Sequence, residues 1–188
     1  MLNRYHLLGA AACIAACAAA TPASASIVVL GNSTARLCYE AADSPSTPEA
    51  RDLRNCDEAL THDTLTSYDM LATHVNRGIL RLRLGRIDDA IGDFDRAIAM
   101  DSNQPEAYLN KGAALLRREN AAEAMSLFTM ALDRNTTRPA IAHYGRAIAN
   151  ETLGNISAAY RDYTAASQMA PNWREPRVEL TRFRVINR

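Results

Sequence analysis

The chain has 188 residues, of which 48% are apolar, and its 21 basic and 21 acidic side chains give a formal net charge of zero. A length of this order supports one or two domains, each with a buried core. The even charge balance argues against a nucleic-acid binder that neutralises phosphates. A mean hydropathy of −0.21 excludes a polytopic membrane protein, and the scarcity of Gly and Pro argues against a disordered chain.

The first 25 residues have the pattern of an export signal. Arg4 supplies a positive start, the run Leu7–Ala20 is apolar and uncharged, and Pro22 ends it before Ala23-Ser24-Ala25. The apolar run is shorter than the roughly 20 residues that span a bilayer as a helix. We therefore expect removal of residues 1–25 and a periplasmic or secreted protein.

A second interpretation of the same segment is a lipid anchor. Ile14-Ala15-Ala16-Cys17 resembles the lipobox of bacterial lipoproteins, in which Cys17 would carry the lipid. The small residues behind the helix-breaking Pro22 favour the soluble form. The lipid-anchored form stays open as the minority alternative.

Two cysteines, Cys38 and Cys56, remain after the signal. An even pair in an oxidising compartment indicates a disulfide, and two buried free thiols are the alternative. Neither residue has another Cys or a His at the spacing of zinc ligands, so we expect no metal site. A bridge that closes a loop of this length stabilises a domain by roughly 3 kcal/mol in the chain-entropy model.

The sequence from residue 71 onward repeats with steps of 34 and 35 residues. The recurring positions hold an alanine, an aromatic four residues later and an alanine three residues after that: Ala90, Phe94 and Ala97; Ala124, Phe128 and Ala131; Ala159, Tyr163 and Ala166. This spacing places both alanines on one helix face, where a neighbouring helix can approach closely while the aromatic fills the gap. Twelve residues before each first alanine stands another small residue, namely Gly78, Gly112 or Ala147.

This pattern resembles the tetratricopeptide repeat family. The resemblance implies an all-α solenoid of three helix-turn-helix units at residues 71–104, 105–139 and 140–173, 103 of the 188 residues. Pro105 and Pro139 stand where new helices would begin. The second unit departs from the others, because Glu119 occupies the turn position that holds Gly85 and Gly154.

A solenoid exposes an apolar face at each end, so we expect capping elements. Residues 174–188 are predicted to form a C-terminal capping helix, with a continuous helix over Pro176–Ile186. Residues 26–70 are predicted to hold an N-terminal arm and a degenerate helical pair, Thr34–Ala42 and Pro48 to about Leu60, stapled by the two cysteines. Thr47 is the expected N-cap of the second of these helices.

Ser26–Leu30 is a short, apolar, β-branched run. Two interpretations remain open for it. It can pack as an extended strand over the first helix, or it can form a flexible arm.

No catalytic or cofactor motif stands out in the sequence. His74 and His143 occupy a position that normally holds a packing aromatic, and Asp88-Asp89 is typical of a solvated first turn of a helix. We therefore expect no enzyme activity, no cofactor and no metal.

Polar side chains recur along the predicted first helices, which line the concave groove in tetratricopeptide proteins. Asn amides can bind a peptide backbone and Arg can bind a carboxylate, although the Asn could instead cap neighbouring helices and the Arg could simply be exposed. The basic residues of the family's carboxylate clamp are not reproduced, because Val75, Ile141 and Gly145 stand in their places. The predicted peptide-binding groove consists of Asn76, Ile79, Arg83, Leu109, Asn110, Arg117, Tyr144 and Ile148.

The sequence thus predicts an exported, non-enzymatic scaffold or adaptor that binds a protein or peptide partner in the cell envelope through its concave groove. We expect no nucleic-acid partner and no integral membrane span. The alternative function is a self-associating or lipid-anchored structural accessory of envelope assembly.

Overall fold

The computed structural model describes residues 4–7, 25–30 and 34–186; Cys17 and most of the predicted apolar signal run lie outside this part of the chain. The described residues form nine helices and two short strands. The helices are α1 (Thr34–Asp43), α2 (Ala50–His62), α3 (Ser67–Arg83), α4 (Ile87–Met100), α5 (Pro105–Arg117), α6 (Ala121–Asp133), α7 (Pro139–Thr152), α8 (Ile156–Met169) and α9 (Arg174–Leu180). Strand β1 (Arg4–Leu7) pairs antiparallel with β2 (Phe183–Ile186).

Three helical pairs, α3/α4, α5/α6 and α7/α8, stack in chain order. The recurring alanines of all three second helices are 0% exposed, and the aromatics Phe94, Phe128 and Tyr163 are at most 1% exposed. Equivalent residues therefore lie in equivalent surroundings. The predicted solenoid of three helix-turn-helix units is confirmed.

Glycines on the first helices allow these aromatics to approach. A Cβ atom added to Gly78 would lie 2.5 Å from Cε1 of Phe94, and one added to Gly112 would lie 3.0 Å from Cε1 of Phe128. Gly145 of the next unit also contacts the Phe128 ring. Position 145 is in register with Asn76 and Asn110, and it holds glycine because no side chain fits there beside Phe128.

The turn of the second unit has the same left-handed backbone as the other two turns, although Glu119 stands there in place of glycine. Gly85 and Gly154 both have φ of 77°, and Glu119 has φ of 63°. A non-glycine residue with such a left-handed backbone is mildly strained. The departure in sequence therefore leaves the backbone path of the turn unchanged.

The first helical pair is joined by the predicted disulfide. The Cys38–Cys56 bond links α1 to α2, and both cysteines are fully buried. The predicted N-cap of the second helix is wrong, since Glu49 rather than Thr47 takes that position. Glu49 and Asp52 form a reciprocal capping box, so α2 begins at Ala50.

The C-terminal cap is shorter than the predicted helix. Helix α9 ends at Leu180, and the chain then turns, with the Thr181 hydroxyl donating to the carbonyl oxygen of Val178 at 2.7 Å. The aromatic ring of Phe183 packs against Tyr160 and Tyr163, with ring centroids 5.6 and 5.9 Å away. Phe183, the first residue of β2, thus covers the apolar end of the last unit. Strand β1, which pairs with β2, lies within the predicted signal.

Candidate functional site

An extended N-terminal arm, Ala25–Leu30, crosses the first helices of units one and two. Alternate residues of the arm face inward, so that Ala25, Ile27 and Val29 are at most 6% exposed while Val28 and Leu30 are exposed. Period-two burial of this kind is the signature of a strand lying on an apolar surface. Of the two interpretations left open by the sequence, the structure shows the packed, extended one, placed across α3 and α5.

Asn76 on α3 binds both main-chain groups of one arm residue. Its Oδ1 accepts a hydrogen bond from the Ile27 N–H at 2.9 Å, and its Nδ2 donates to the Ile27 carbonyl oxygen at 2.8 Å. The Asn76 side chain is 0% exposed. The Asn76 amide therefore binds the N–H and the C=O of Ile27 as a neighbouring β-strand would.

Asn110 on α5 repeats this contact two residues along the arm. Its Nδ2 donates to the Ala25 carbonyl oxygen at 3.0 Å, and its Oδ1 accepts from the Ala25 N–H at 3.4 Å. A second bond from Nδ2 to the Glu106 carbonyl oxygen, 2.8 Å long, fixes the orientation of the amide. One step along the solenoid therefore corresponds to two residues of the bound strand.

Two carboxylates flank the arm. Asp69 accepts from the Leu30 N–H at 3.2 Å and is itself held by the hydroxyl of its N-cap residue, Thr66, at 2.9 Å. Asp43, the last residue of α1, accepts from the Ser26 hydroxyl at 2.7 Å. The site thus combines main-chain recognition with negative charge at its edges.

Arg83 and Arg117 do not take part in this contact. Nη1 of Arg83 donates to the Ser44 carbonyl oxygen at 2.8 Å, just after the end of α1, and burial lowers the pKa of Arg83. Nη1 of Arg117 donates to the Leu82 carbonyl oxygen at 2.6 Å, in the last turn of α3. The two arginines are in register, as predicted, but their guanidinium groups donate to main-chain carbonyls at or just after the ends of the preceding helices.

The apolar residues of the predicted groove divide into two places. Ile79 belongs to the buried cluster that contains Ile27, and Leu109 to the one that contains Ala25. Tyr144 and Ile148 instead pack against the core of the third unit, where the Tyr144 ring lies 4.8 Å from Trp173. The structure therefore gathers Asn76, Ile79, Leu109 and Asn110 at the arm and places Tyr144 and Ile148 at the C-terminal cap.

Sequence reasoning missed a buried ionic cluster between the helices of unit one. The fully buried carboxylate of Asp93 on α4 lies 2.7 Å from Nη2 of Arg77, 2.6 Å from Nη1 of Arg81 and 3.3 Å from Nδ1 of His74. His74 is therefore a carboxylate partner and not the packing residue that the register suggested.

The same cluster recurs in unit three. Asp162 lies 2.8 Å from Nη2 of Arg146 and 2.8 Å from Nδ1 of His143. Each member stands 69 residues after its equivalent in unit one, so the signal was present in the sequence as a co-repeating set. Unit two lacks it, because Leu127 replaces the aspartate.

The same opposing effects determine the pKa of Asp93 and the pKa of Asp162. Burial alone would raise the pKa of Asp93, but hydrogen bonds from His74 and Arg77 and the positive charges of Arg77 and Arg81 outweigh it and lower the pKa. The pKa of Asp162 is lowered against the same burial effect by His143 and Arg146. Both carboxylates are therefore ionised structural partners.

Neither cluster offers a metal site. Within residues 4–7, 25–30 and 34–186, no three His, Cys, Asp or Glu side chains are grouped so that they could hold a metal ion. In the same ranges, no helix is long and apolar enough to cross a membrane. The asparagine pair at the arm is the candidate site, because its four hydrogen bonds hold an extended segment.

The comparisons agree with the geometry. Residues 75–139 match the family model described as "Tetratricopeptide repeat". Over these residues, the chain is similar to tetratricopeptide repeats. No curated protein matches the sequence of the chain significantly.

Solved tetratricopeptide structures share the fold. The NMR structure of the first such domain of human RPAP3 is similar with a TM-score of 0.56 and 25% identity, over 60% of this chain and 87% of that chain. The first such domain of Spaghetti (RPAP3), bound to the HSP90 peptide SRMEEVD, has a TM-score of 0.56 and 24% identity, over 59% and 87%. The MamA RS-1 double mutant has a TM-score of 0.62 and 19% identity, over 81% and 83%.

Proposed function

We propose that this tetratricopeptide protein is an exported, non-enzymatic scaffold that binds an extended segment of a partner protein in its concave groove. One observation carries the proposal: Asn76 and Asn110 each bind the N–H and C=O of one residue in an extended segment. Buried amides that present both a donor and an acceptor recognise a strand whatever its side chains are.

Two further features support binding to this face. In the Spaghetti (RPAP3) structure the related domain is bound to a peptide, which favours peptide binding by the present array. Val75, Ile141 and Gly145 stand at the lysine and arginine positions of the family's carboxylate clamp, so the clamp's basic residues are not reproduced. We therefore propose main-chain recognition of an internal segment rather than capture of a terminal carboxylate.

The proposed location is the periplasm or the exterior of the cell. The signal pattern of residues 1–25 supports export, and a disulfide between fully buried cysteines suits an oxidising compartment. Intact-mass measurement of the protein purified from its native envelope tests this. A mass that begins at Ser26 is expected, and a lipid-bearing Cys17 or an unprocessed chain would contradict it.

Site-specific photocrosslinking tests the groove itself. The photoreactive residue p-benzoylphenylalanine is placed either at Arg117, exposed seven residues after Asn110 on α5, or at Ala99, exposed on α4. We expect a partner segment to crosslink at position 117 and not at the control position 99. Equal labelling at the two positions, or labelling at 99 alone, would contradict binding to the concave face.

A further inference from the structure

We infer that the arm Ala25–Leu30 is a tethered ligand of the groove, and that the partner segment which replaces it is a non-acidic strand with small or β-branched apolar residues at alternate positions. This inference rests on the proposed function and adds the class of segment that the groove selects. The arm fills both asparagine positions in the uncleaved chain, in which Ala25 is still present.

The contacts of the arm are of a kind that another strand can make. At Ala25 and Ile27 all four hydrogen bonds to the two asparagines come from the main chain of the arm. A third main-chain bond, from Leu30 to Asp69, lies farther along. Any extended segment without proline at these positions can form the same bonds.

Side-chain selection comes from the inward positions. Ala25, Ile27 and Val29 are 1%, 6% and 2% exposed, and Ile27 and Val29 belong to the core cluster to which α1 to α5 contribute. A charged residue at any of these positions would lose its hydration without gaining a partner. The groove therefore requires a small or β-branched apolar residue at every second position of its ligand.

Charge at the edges of the groove excludes acidic segments. Asp69 and Asp43 both direct carboxylate oxygens at the arm, one at a main-chain N–H and the other at the Ser26 hydroxyl. An aspartate or glutamate on a bound strand would stand close to these carboxylates, and like charges disfavour binding. The peptide SRMEEVD, which is bound by the related domain, is a suitable negative control.

The arm has the advantage of its tether. Only residues 31–33 separate Leu30 from α1. A short linker of this kind gives a local concentration in the millimolar range. A free peptide with the same contacts therefore competes poorly with the arm, and a natural partner needs contacts beyond those of the arm to displace it.

The test uses the full chain and the blocked hexapeptide acetyl-Ala-Ser-Ile-Val-Val-Leu-amide with a fluorescent label, followed by anisotropy. Ile27→Asp places a charge on the buried face and should release the arm, whereas Val28→Lys places a charge on the neighbouring exposed residue, where the edge carboxylates do not repel it, and should leave the arm bound. We expect Ile27→Asp to bind the peptide at least tenfold more tightly than the wild type or Val28→Lys. Ile27→Gly, which adds no charge, serves as a second releasing variant should Ile27→Asp fail to fold.

Three further results decide the class of ligand. Adding Asn76→Ala to the releasing variant should weaken peptide binding at least tenfold, and labelled SRMEEVD should bind at least tenfold less tightly than the hexapeptide. Equal peptide affinity in the wild type and both releasing variants would overturn the role of the arm. Tight binding of SRMEEVD, or a wild-type dimer that Ile27→Asp abolishes, would overturn the proposed ligand in favour of an acidic segment or of the arm of a second copy. Crosslinking of a partner at position 117 could still succeed after any of these failures, so the two proposals are separable.

Discussion

Asn76 and Asp93 are both 0% exposed polar residues, but the groups that they contact differ in kind. The amide of Asn76 bonds to a segment that another strand could replace, whereas the carboxylate of Asp93 bonds only to side chains of its own unit. Burial of a polar group therefore does not by itself mark a binding residue. A buried polar residue is a candidate for binding only where its hydrogen-bond partner belongs to a segment that another chain could replace.

Asp93→Asn should destabilise the protein at neutral pH and flatten its acid response. Breaking a buried ionic cluster typically costs about 3–5 kcal/mol. Because the pKa of Asp93 is lowered on folding, its stabilisation is present above its unfolded pKa of about 3.9 and is lost as the pH falls through the folded value. Urea unfolding between pH 7 and pH 2 measures both effects.

The matched control for this experiment is Asp95→Asn. Asp95 lies two residues away on the same helix, and its side chain is 52% exposed in its ion pair with Lys111. Exposed pairs contribute about 0–1 kcal/mol, so the control should change little. An equal loss of stability in both variants would show that the buried Asp93 cluster contributes no more to the free energy of unfolding than an exposed ion pair does.

Gly78→Ala should destabilise unit one although alanine is the better helix former. The added methyl group would lie 2.5 Å from Phe94, and such overpacking typically costs about 1–3 kcal/mol. Gly92→Ala on α4 is the control, because its nearest neighbour is a flexible Arg96 atom at 3.6 Å, and a gain of up to about 1 kcal/mol is expected there. Thermal unfolding of both variants checks the prediction, which fails if Gly78→Ala is as stable as the wild type.

At the scale of helices, the disulfide joins two elements that the repeat pattern does not cover. Helices α1 and α2 lack the Ala–aromatic–Ala signature, and they contribute Cys38 and Cys56, both 0% exposed, to the first core cluster. Ile27 and Val29 of the arm belong to this cluster as well. The cross-linked pair therefore supports one wall of the site that holds the arm.

Cys38→Ala/Cys56→Ala should lower the free energy of unfolding by about 3 kcal/mol, as expected for a closed loop of this size. The arm should also lose protection, because α1 forms part of its surroundings. Hydrogen exchange of the Ile27 amide, compared between the variant and the oxidised wild type, measures this second effect. A variant with unchanged stability and unchanged Ile27 protection would argue against a structural role for the bridge.

The sequence predicted the elements well where a period enforced them. The small residues and aromatics at steps of 34 and 35 identify the three units, since each position meets the same packing demand. The last residues lack such a constraint: Phe183 and Val185 fit a helical face as well as a strand, and pairing with a segment nearly 180 residues away decided the outcome. The N-cap of α2 is likewise Glu49, because Asp52 can accept a hydrogen bond from the Glu49 N–H in a capping box.

Some residues that contact the arm could be picked out from the sequence for the same reason, and their role in binding a partner stays a prediction. Asn76 and Asn110 stood out because they repeat with the units. Arg83 and Arg117 also repeat, but nothing local reveals that helix-end carbonyls from the preceding elements lie within their reach. The partner of the asparagines is 49 and 85 residues away in sequence, so only the folded chain shows it.

At the scale of the whole molecule, the core is a chain of clusters rather than a single body. Ile91, Ile98 and Ala113 pack against both the first and the second cluster, whereas the third cluster is built from Ala147, Ala159, Tyr163 and Phe183. Stacked repeats of this kind interact mainly with their nearest neighbours. Damage at one end should therefore stay local.

Phe183→Ala should weaken the third unit selectively. Removal of a buried phenylalanine costs of the order of 3 kcal/mol, and here the lost contacts are with Tyr160 and Tyr163. Hydrogen exchange should accelerate in α7 and α8 and stay unchanged in α3 and α4, while Val178→Ala, at a side chain that is 46% exposed, should alter neither. Uniform acceleration throughout the chain would instead indicate one cooperative unit.

Ala25 is both the residue that Asn110 binds and the last residue of the predicted signal. Cleavage after it would leave Asn110, now 3% exposed, with an unfilled place on α5 next to a newly formed ammonium group at Ser26. Maturation would then remove Ala25 from the arm and leave Ile27 bound to Asn76. Cleavage of the predicted signal would thereby free Asn110 and leave Ile27 on Asn76 as the part of the arm that a partner must still displace.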